Sequence, residues 1–476
     1  MQTRRRKATI DTMRIEKDSL GEIPVPEEAL WGAETERARR HFAVSGRPVH
    51  PALIRAGAEV KAACALANRE LGYLEPEIAD AIVAACAEVA AGRWAEHFVT
   101  DALQGGAGTS TNMNWNEVLA AIASRKAGRP IDPHDHVNRH QSTNDVYPTA
   151  LRVAALRGFQ TLEAAVIELQ EACQEKERAF ADVIKTGRTE LRDAVPITLG
   201  REFGAWASAL GRDRWRIAKC EERIRECNLG GTAIGTGITA PRDYLFLVVE
   251  KLREVTRLNL ARADNLVDAT QNLDAFAEVS GILRAHAVTL SKMSRDLRLM
   301  FSGPAGGLHE VELPAVQPGS SLMPGKVNPV IPEMVQQVAY RVIAHDLEIG
   351  LVAMHGEFEL NAFLPLLADA LLTMVDLLAR ADRLFAEYCI KGVQADRRRC
   401  REILEQTRGI VTALVPKIGY ERATEVAAEM ARSGKSVSEV LREKGWLAGE
   451  TLEAELAPER LCRLGWTPGD FQEGKR

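Results

Sequence analysis

The segment Asn144–Lys185 reads NDVYPTALRVAALRGFQTLEAAVIELQEACQEKERAFADVIK, and its pattern decides the architecture. It is rich in Ala, Leu, Val and Glu, with a single glycine, Gly158. Apolar residues recur at helical spacing along almost all of it. A helix of about 30 residues spans about 45 Å and has to bury its apolar face against partners. The partners are present on either side. Ile197–Cys227, Ala269–Leu299, Val330–Met354 and Glu357–Tyr388 carry the same periodicity. Ala52–Leu71 and Glu75–Ala91 are shorter amphipathic helices closed by Gly72 and Gly92. Strand-like alternation is limited to short pieces such as Arg14–Asp18.

The expected fold is therefore all-α in the main, a long central helical bundle between small N- and C-terminal domains. Residues 1–12, with the basic run Arg4–Lys7, are expected to form a disordered extension. The N-terminal domain is expected over 13–147 and the bundle over 148–395. After Asp396 short charged helices and isolated glycines mark a C-terminal domain over 396–476.

The net charge is −5 over 476 residues, which lacks the basic excess of a nucleic-acid-binding protein. No apolar run reaches membrane-spanning length, and no apolar stretch follows the N-terminal arginines. The eight cysteines show no CxxC spacing, which fits reduced, buried thiols and a cytoplasmic location. The histidines form no helical metal-ligand pattern, and His134 and His136 sit in a loop beside Pro133. No GxGxxG follows a strand. Neither metal nor organic cofactor is expected.

Polar, glycine-rich interruptions separate the helices at Gln104–Asn112, His136–Asp145, Gly187–Asp193, Asn228–Thr239 and Pro314–Pro329. The first reads QGGAGTSTN and leads into a helix. Glycines followed by hydroxyls at a helix start serve equally as caps or as an anion site. The second ends Gln141-Ser142-Thr143-Asn144-Asp145, with the same double use. The last contains Gly319-Ser320-Ser321-Leu322-Met323-Pro324-Gly325-Lys326-Val327-Asn328-Pro329. Its prolines forbid a continuous helix, and its glycines allow close approach to a ligand. Residues 315–329 are expected to form a lid that excludes water on closing.

These blocks, in this order, resemble the signature regions of the aspartase/fumarase superfamily, and the resemblance runs from about Met13 onward. The wording Gly105-Gly106-Ala107-Gly108-Thr109-Ser110 looks like the aspartases more than the fumarases. The resemblance implies anti elimination of ammonia from L-aspartate, or a close amino dicarboxylate, to fumarate through an enediolate. It implies Ser320 as the proton acceptor. Thr109, Ser142, Thr143 and Ser321 would hold the carboxylate that becomes the enediolate. Lys326 and Asn328 would hold the other carboxylate, with Asn144 and Thr189 near the leaving amine. It also implies a homotetramer whose sites draw loops from three subunits, an inactive monomer, and no cofactor.

Two positions depart from the family pattern. Gly187-Arg188-Thr189-Glu190-Leu191-Arg192 has Glu190 where relatives carry His or Gln, and Arg192 where they carry Gln. The family's His pairs with a glutamate matching Glu333, so this chain would face two carboxylates, and Arg192 or a substrate ammonium could relieve them. Glu190 then either holds a cationic substrate group or hydrogen-bonds as the Gln does. Leu364 stands where a charged residue is usual. Other readings within the resemblance are fumarate hydration, lysis of a betaine of the ergothionase kind, and a non-catalytic crystallin-like protein.

Overall fold

The structure, a computed structural model, describes residues 12–447 and 449–465, so Arg4–Lys7 lies outside the described residues. In chain order it runs β1 (Met13–Asp18), β2 (Gly21–Pro26), α1 (Ala33–His41), α2 (Pro51–Glu70), α3 (Pro76–Ala90), α4 (Thr109–Ala127) and α5 (Thr143–Ala179). Then come β3 (Ile184–Thr189), β4 (Arg192–Thr198), α6 (Leu199–Ile224), α7 (Arg242–Thr256), α8 (Leu266–Gln271), α9 (Asp274–Met300), α10 (Val330–Met354) and α11 (Leu364–Tyr388). Short helices follow, among them α12 (Arg397–Gln406), α13 (Ile410–Ile418), α14 (Tyr420–Ser433) and α15 (Val437–Lys444). The mainly all-α expectation holds, and the sheets are two-stranded.

The decisive stretch forms α5, a 37-residue helix, but its end leaves the helix. Ile184–Thr189 pairs antiparallel with Arg192–Thr198, so the interruption at Gly187–Asp193 is a β-hairpin. Val183, Ile184, Thr186, Val195, Ile197 and Thr198 supply the β-branched residues that favour strands. The turn lacks the Asn-Gly pair that usually marks a hairpin in sequence. Glu190 and Leu191 occupy it at φ 56° and 60°, a region that non-glycine residues seldom adopt.

Two other expected helices are shorter than their periodicity. Ala269–Leu299 breaks at Asn272 between α8 and α9. Residues 357–363 form a tight turn before α11, where the buried Asn361 donates to Val352 O at 2.7 Å and accepts from Phe363 N–H at 3.0 Å. Leu364, the first residue of α11, is buried, which suits leucine better than a charge.

The chain divides into two compact units. One comprises residues up to Glu163, Arg216–Ala285 and Arg341–Leu378; the other comprises Ala164–Trp215, His286–Tyr340 and the residues from Ala379. In the first, α2, α3, α4 and α7 bury rows of Ala, Val, Ile and Leu. Trp115 of α4 is fully buried and donates to Ile54 O of α2 at 3.1 Å. In the second, α12–α15 enclose a core of Leu404, Leu414, Val426, Val437 and Leu441 together with Ile184 of β3. Each such side chain contributes about 1.5–3 kcal/mol when fully buried. The second unit also holds a charged core. His286 lies between Asp382 at 2.9 Å and Asp213 at 3.2 Å. Burial opposes the imidazolium, but the two carboxylates outweigh it and push His286 up to about 10.

The eight cysteines are all buried and unpaired. No helix among the described residues is long and apolar enough to cross a membrane. α10 leaves Ala344, Leu347, Leu351 and Met354 exposed at 3-4-3 spacing, with Ile343 beside them.

Candidate active site

The first unit carries Thr109, Ser142, Thr143 and Asn144. Thr109 opens α4 after Gly106, Ala107 and Gly108, all at positive φ. Its hydroxyl donates to Gly106 O at 2.7 Å, which leaves its oxygen lone pairs outward. Gly108 has φ 95°, and a Cβ there would lie 2.3 Å from the ring of Tyr147, so only glycine fits.

Ser142 caps α5. Its Oγ accepts from Asn144 N–H at 3.2 Å, as an N-cap hydroxyl does, while Asp145 accepts from Ser142 N–H at 2.9 Å. Asp145 reaches further. Its other carboxylate oxygen accepts from Gly230 N–H at 3.0 Å and Thr232 N–H at 3.1 Å. One fully buried carboxylate thus pins the Ser142–Asn144 turn to the Asn228–Thr239 loop. Burial pushes Asp145 up to about 6, against the N–H groups of Ser142, Thr232 and Gly230. Asn144 Nδ2 adds a bond to Ala233 O at 2.7 Å, and Asn228 Nδ2 one to Asn144 O at 2.9 Å.

The same turn is tied to α4. Asn138 Oδ1 accepts from Asn112 Nδ2 at 3.2 Å, Asn116 Nδ2 at 3.1 Å and Lys61 Nζ at 2.9 Å. The structure therefore brings the Thr109 and Ser142–Asn144 blocks together through side chains that the sequence reading passed over. Lys61 had a signal, a lone lysine within an apolar helical run, Ala56–Ala67. Asp145 had one as an acid three residues after a capping serine.

The second unit carries Thr189, Glu190, Arg192, Ser320, Ser321, Lys326, Asn328 and Glu333. Thr189, Glu190 and Arg192 are exposed at the tip of the β3–β4 hairpin. The base of the hairpin is held by charge. Arg188 meets both oxygens of the buried Glu310 at 2.9 and 3.0 Å, and Lys185 bridges Glu310 at 3.2 Å and Glu202 at 2.8 Å. Glu310 lies just before the lid, and sequence reading gave it no role. No hydrogen bond or ion pair joins Glu190 to Arg192 or Glu333 among the described residues.

The lid stands open to solvent. Ser321, Lys326 and most neighbours are exposed, and Leu322 is 86% exposed. It holds itself in shape. Gly319 N–H donates to Lys326 O at 2.8 Å, and Asn328 Nδ2 donates to Gly319 O. Ser320 Oγ accepts two backbone N–H groups, from Met323 at 2.8 Å and Leu322 at 3.1 Å. A hydroxyl oxygen so placed is ready to carry negative charge.

Residues 21–344 match the family described as "Lyase", and residues 410–463 match "Fumarase C C-terminus". An aspartate ammonia-lyase of Pseudomonas aeruginosa is 47% identical over 95% of this chain and 97% of its own length. A class II fumarate hydratase of Mycobacterium tuberculosis is 45% identical over 97% of this chain and 98% of its own. A crystal structure of fumarate lyase:delta crystallin from Brucella melitensis, bound to cobalt, superposes with a TM-score of 0.90 at 47% identity, covering 94% of this chain and 99% of that one. The chain therefore belongs to the lyase family, within the aspartase/fumarase superfamily.

Proposed function

We propose that this lyase eliminates ammonia from L-aspartate to give fumarate, with Ser320 as the base. The observation that supports the role of Ser320 is its Oγ, which accepts two backbone N–H groups. Serine is a poor base in water, and donors already aimed at its oxygen lower the energy of the alkoxide. The alkoxide takes a proton from the carbon beside the side-chain carboxylate. The electron pair enters that carboxylate as an enediolate, then returns to form the double bond as the C–N bond breaks and ammonia leaves.

Ser142, Thr143 and Ser321 supply hydroxyl donors to the enediolate carboxylate, and Thr109 joins them once its hydroxyl turns away from Gly106 O. Lys326 and Asn328 hold the second carboxylate, and Asn144 and Thr189 face the amine. Glu190 acts as a hydrogen-bonding group in this reading. The similarity to aspartate ammonia-lyases and the Gly105–Ser110 wording favour ammonia over water as the leaving group.

The enzyme is a homotetramer in this proposal, with each site built from three subunits. The heptad-spaced apolar stripe Ala344, Leu347, Leu351 and Met354 on α10, exposed in one chain, suits a helix from a second copy. The exposed lid likewise suits closure over loops of neighbouring chains. Turnover of aspartate and malate, followed by fumarate absorbance, tests the chemistry. Malate turnover without aspartate turnover makes the protein a hydratase. Turnover by an isolated monomer overturns the shared site.

A further inference from the structure

We infer that Lys61 is a positioning residue that places a buried positive charge behind the Ser142–Asn144 turn and strengthens its hold on a dianionic substrate. The inference rests on the carboxylate site proposed above. Lys61 lies in the middle of α2 and is wholly buried. Its ammonium donates to Asn138 Oδ1 at 2.9 Å and Gln141 Oε1 at 2.8 Å. Both acceptors are neutral, and both belong to the segment that leads into Ser142. No carboxylate lies within ion-pair distance of it among the described residues.

The surroundings offset only part of the cost of that buried charge. Cys64 of α2 and Cys86 of α3 are buried thiols, held protonated by burial. Tyr244 of α7 is buried and kept neutral in the same way. Arg139 and His140 of the loop add no negative charge. Asp145 of α5 is the one carboxylate that acts on Lys61; it favours the ammonium from beyond ion-pair distance, and burial outweighs it. Asn112 Oδ1 and Asn116 Oδ1, beside the same hub, are buried without a donor. Burying an ammonium against neutral amides is unfavourable by several kcal/mol, and an opposite charge nearby offsets it. A carboxylate bound at the Ser142–Asn144 turn is such a charge. Anion binding and protonation of Lys61 are therefore linked, each favouring the other.

The test is succinate binding by calorimetry, read without turnover, so that failed elimination chemistry and failure of this inference are separate results. Burial lowers the Lys61 ammonium to about 8, so wild-type affinity falls as pH rises through that value. Lys61→Met loses about tenfold in affinity below that pH, equivalent to about 1.4 kcal/mol, and loses the pH dependence. Lys61→Arg retains affinity and shifts the dependence upward. In turnover, KM carries the change in Lys61→Met and kcat stays within about threefold. Unchanged succinate affinity in Lys61→Met, or a pH dependence that survives the substitution, overturns the inference. If Lys61→Met fails to fold, the wild-type titration decides, because affinity that is flat through this range has the same consequence.

Discussion

The Ser142–Asn144 turn and the Ser320 lid are both polar, glycine-flanked interruptions between long helices, yet they are built in opposite ways. The turn is fastened from outside. Asp145 binds it to the Gly230–Thr232 backbone, and Asn138 links it to α2 and α4 through buried amides and Lys61. The lid is fastened to itself, by Ser320 Oγ, Gly319 N–H and Asn328 Nδ2, with most of its side chains exposed. A rigid donor set suits charge that develops at a fixed carboxylate. A self-contained loop can move as one piece and still bring a pre-organised serine. In the proposed reaction the turn would hold a carboxylate while the lid would bring the base.

Ser320→Ala breaks the comparison most sharply. It is expected to reduce kcat by about 10³-fold, within the range for loss of a general base, with no change in thermal stability. Fumarate absorbance and a melting curve check both halves. A stability loss would mean that the lid is not self-contained.

Glycine substitutions separate the two regions by stability. Gly108→Ala meets the Tyr147 ring and keeps φ 95°, so it is expected to lose about 3 kcal/mol from overpacking and left-handed strain together. Gly325→Ala in the lid also has φ 79°, but nothing lies within 4 Å of its Cβ, so about 1 kcal/mol is expected. Urea denaturation measures the difference.

Asp145→Asn places an amide against the N–H groups now facing a carboxylate, and is expected to destabilise by about 2 kcal/mol. The wild type carries a pH signature as well. The carboxyl is raised to about 6 in the folded chain, so the folded state binds the extra proton. Its contribution is fully present below the unfolded value and is lost as pH rises through about 6. Asp145→Asn removes this fall from the stability profile.

Glu190→Gln is expected to have the smallest effect. Glu190 is an exposed turn residue, so stability changes by less than about 0.5 kcal/mol. Aspartate kinetics within about twofold of wild type fit a hydrogen-bonding role. A larger rise in KM for aspartate assigns Glu190 to the substrate ammonium instead.

Periodicity alone was enough for the all-α class and for α10, whose ends match the expected Val330–Met354. The order of the glycine loops was enough for the family. These features are local, because helical spacing and loop composition are written in neighbouring residues. The β3–β4 hairpin was not legible, since Glu190 and Leu191 hold a turn that pairing of the flanking strands imposes on them. The shortening of Ala269–Leu299 and Glu357–Tyr388 came from the Asn272 break and the Asn361 cap, which compete with an apolar pattern that continues through them. Lys61, Asp145 and Glu310 acquired their places only when segments distant in sequence closed around them. A buried charge is defined by what replaces its water, and that is a property of the packed chain.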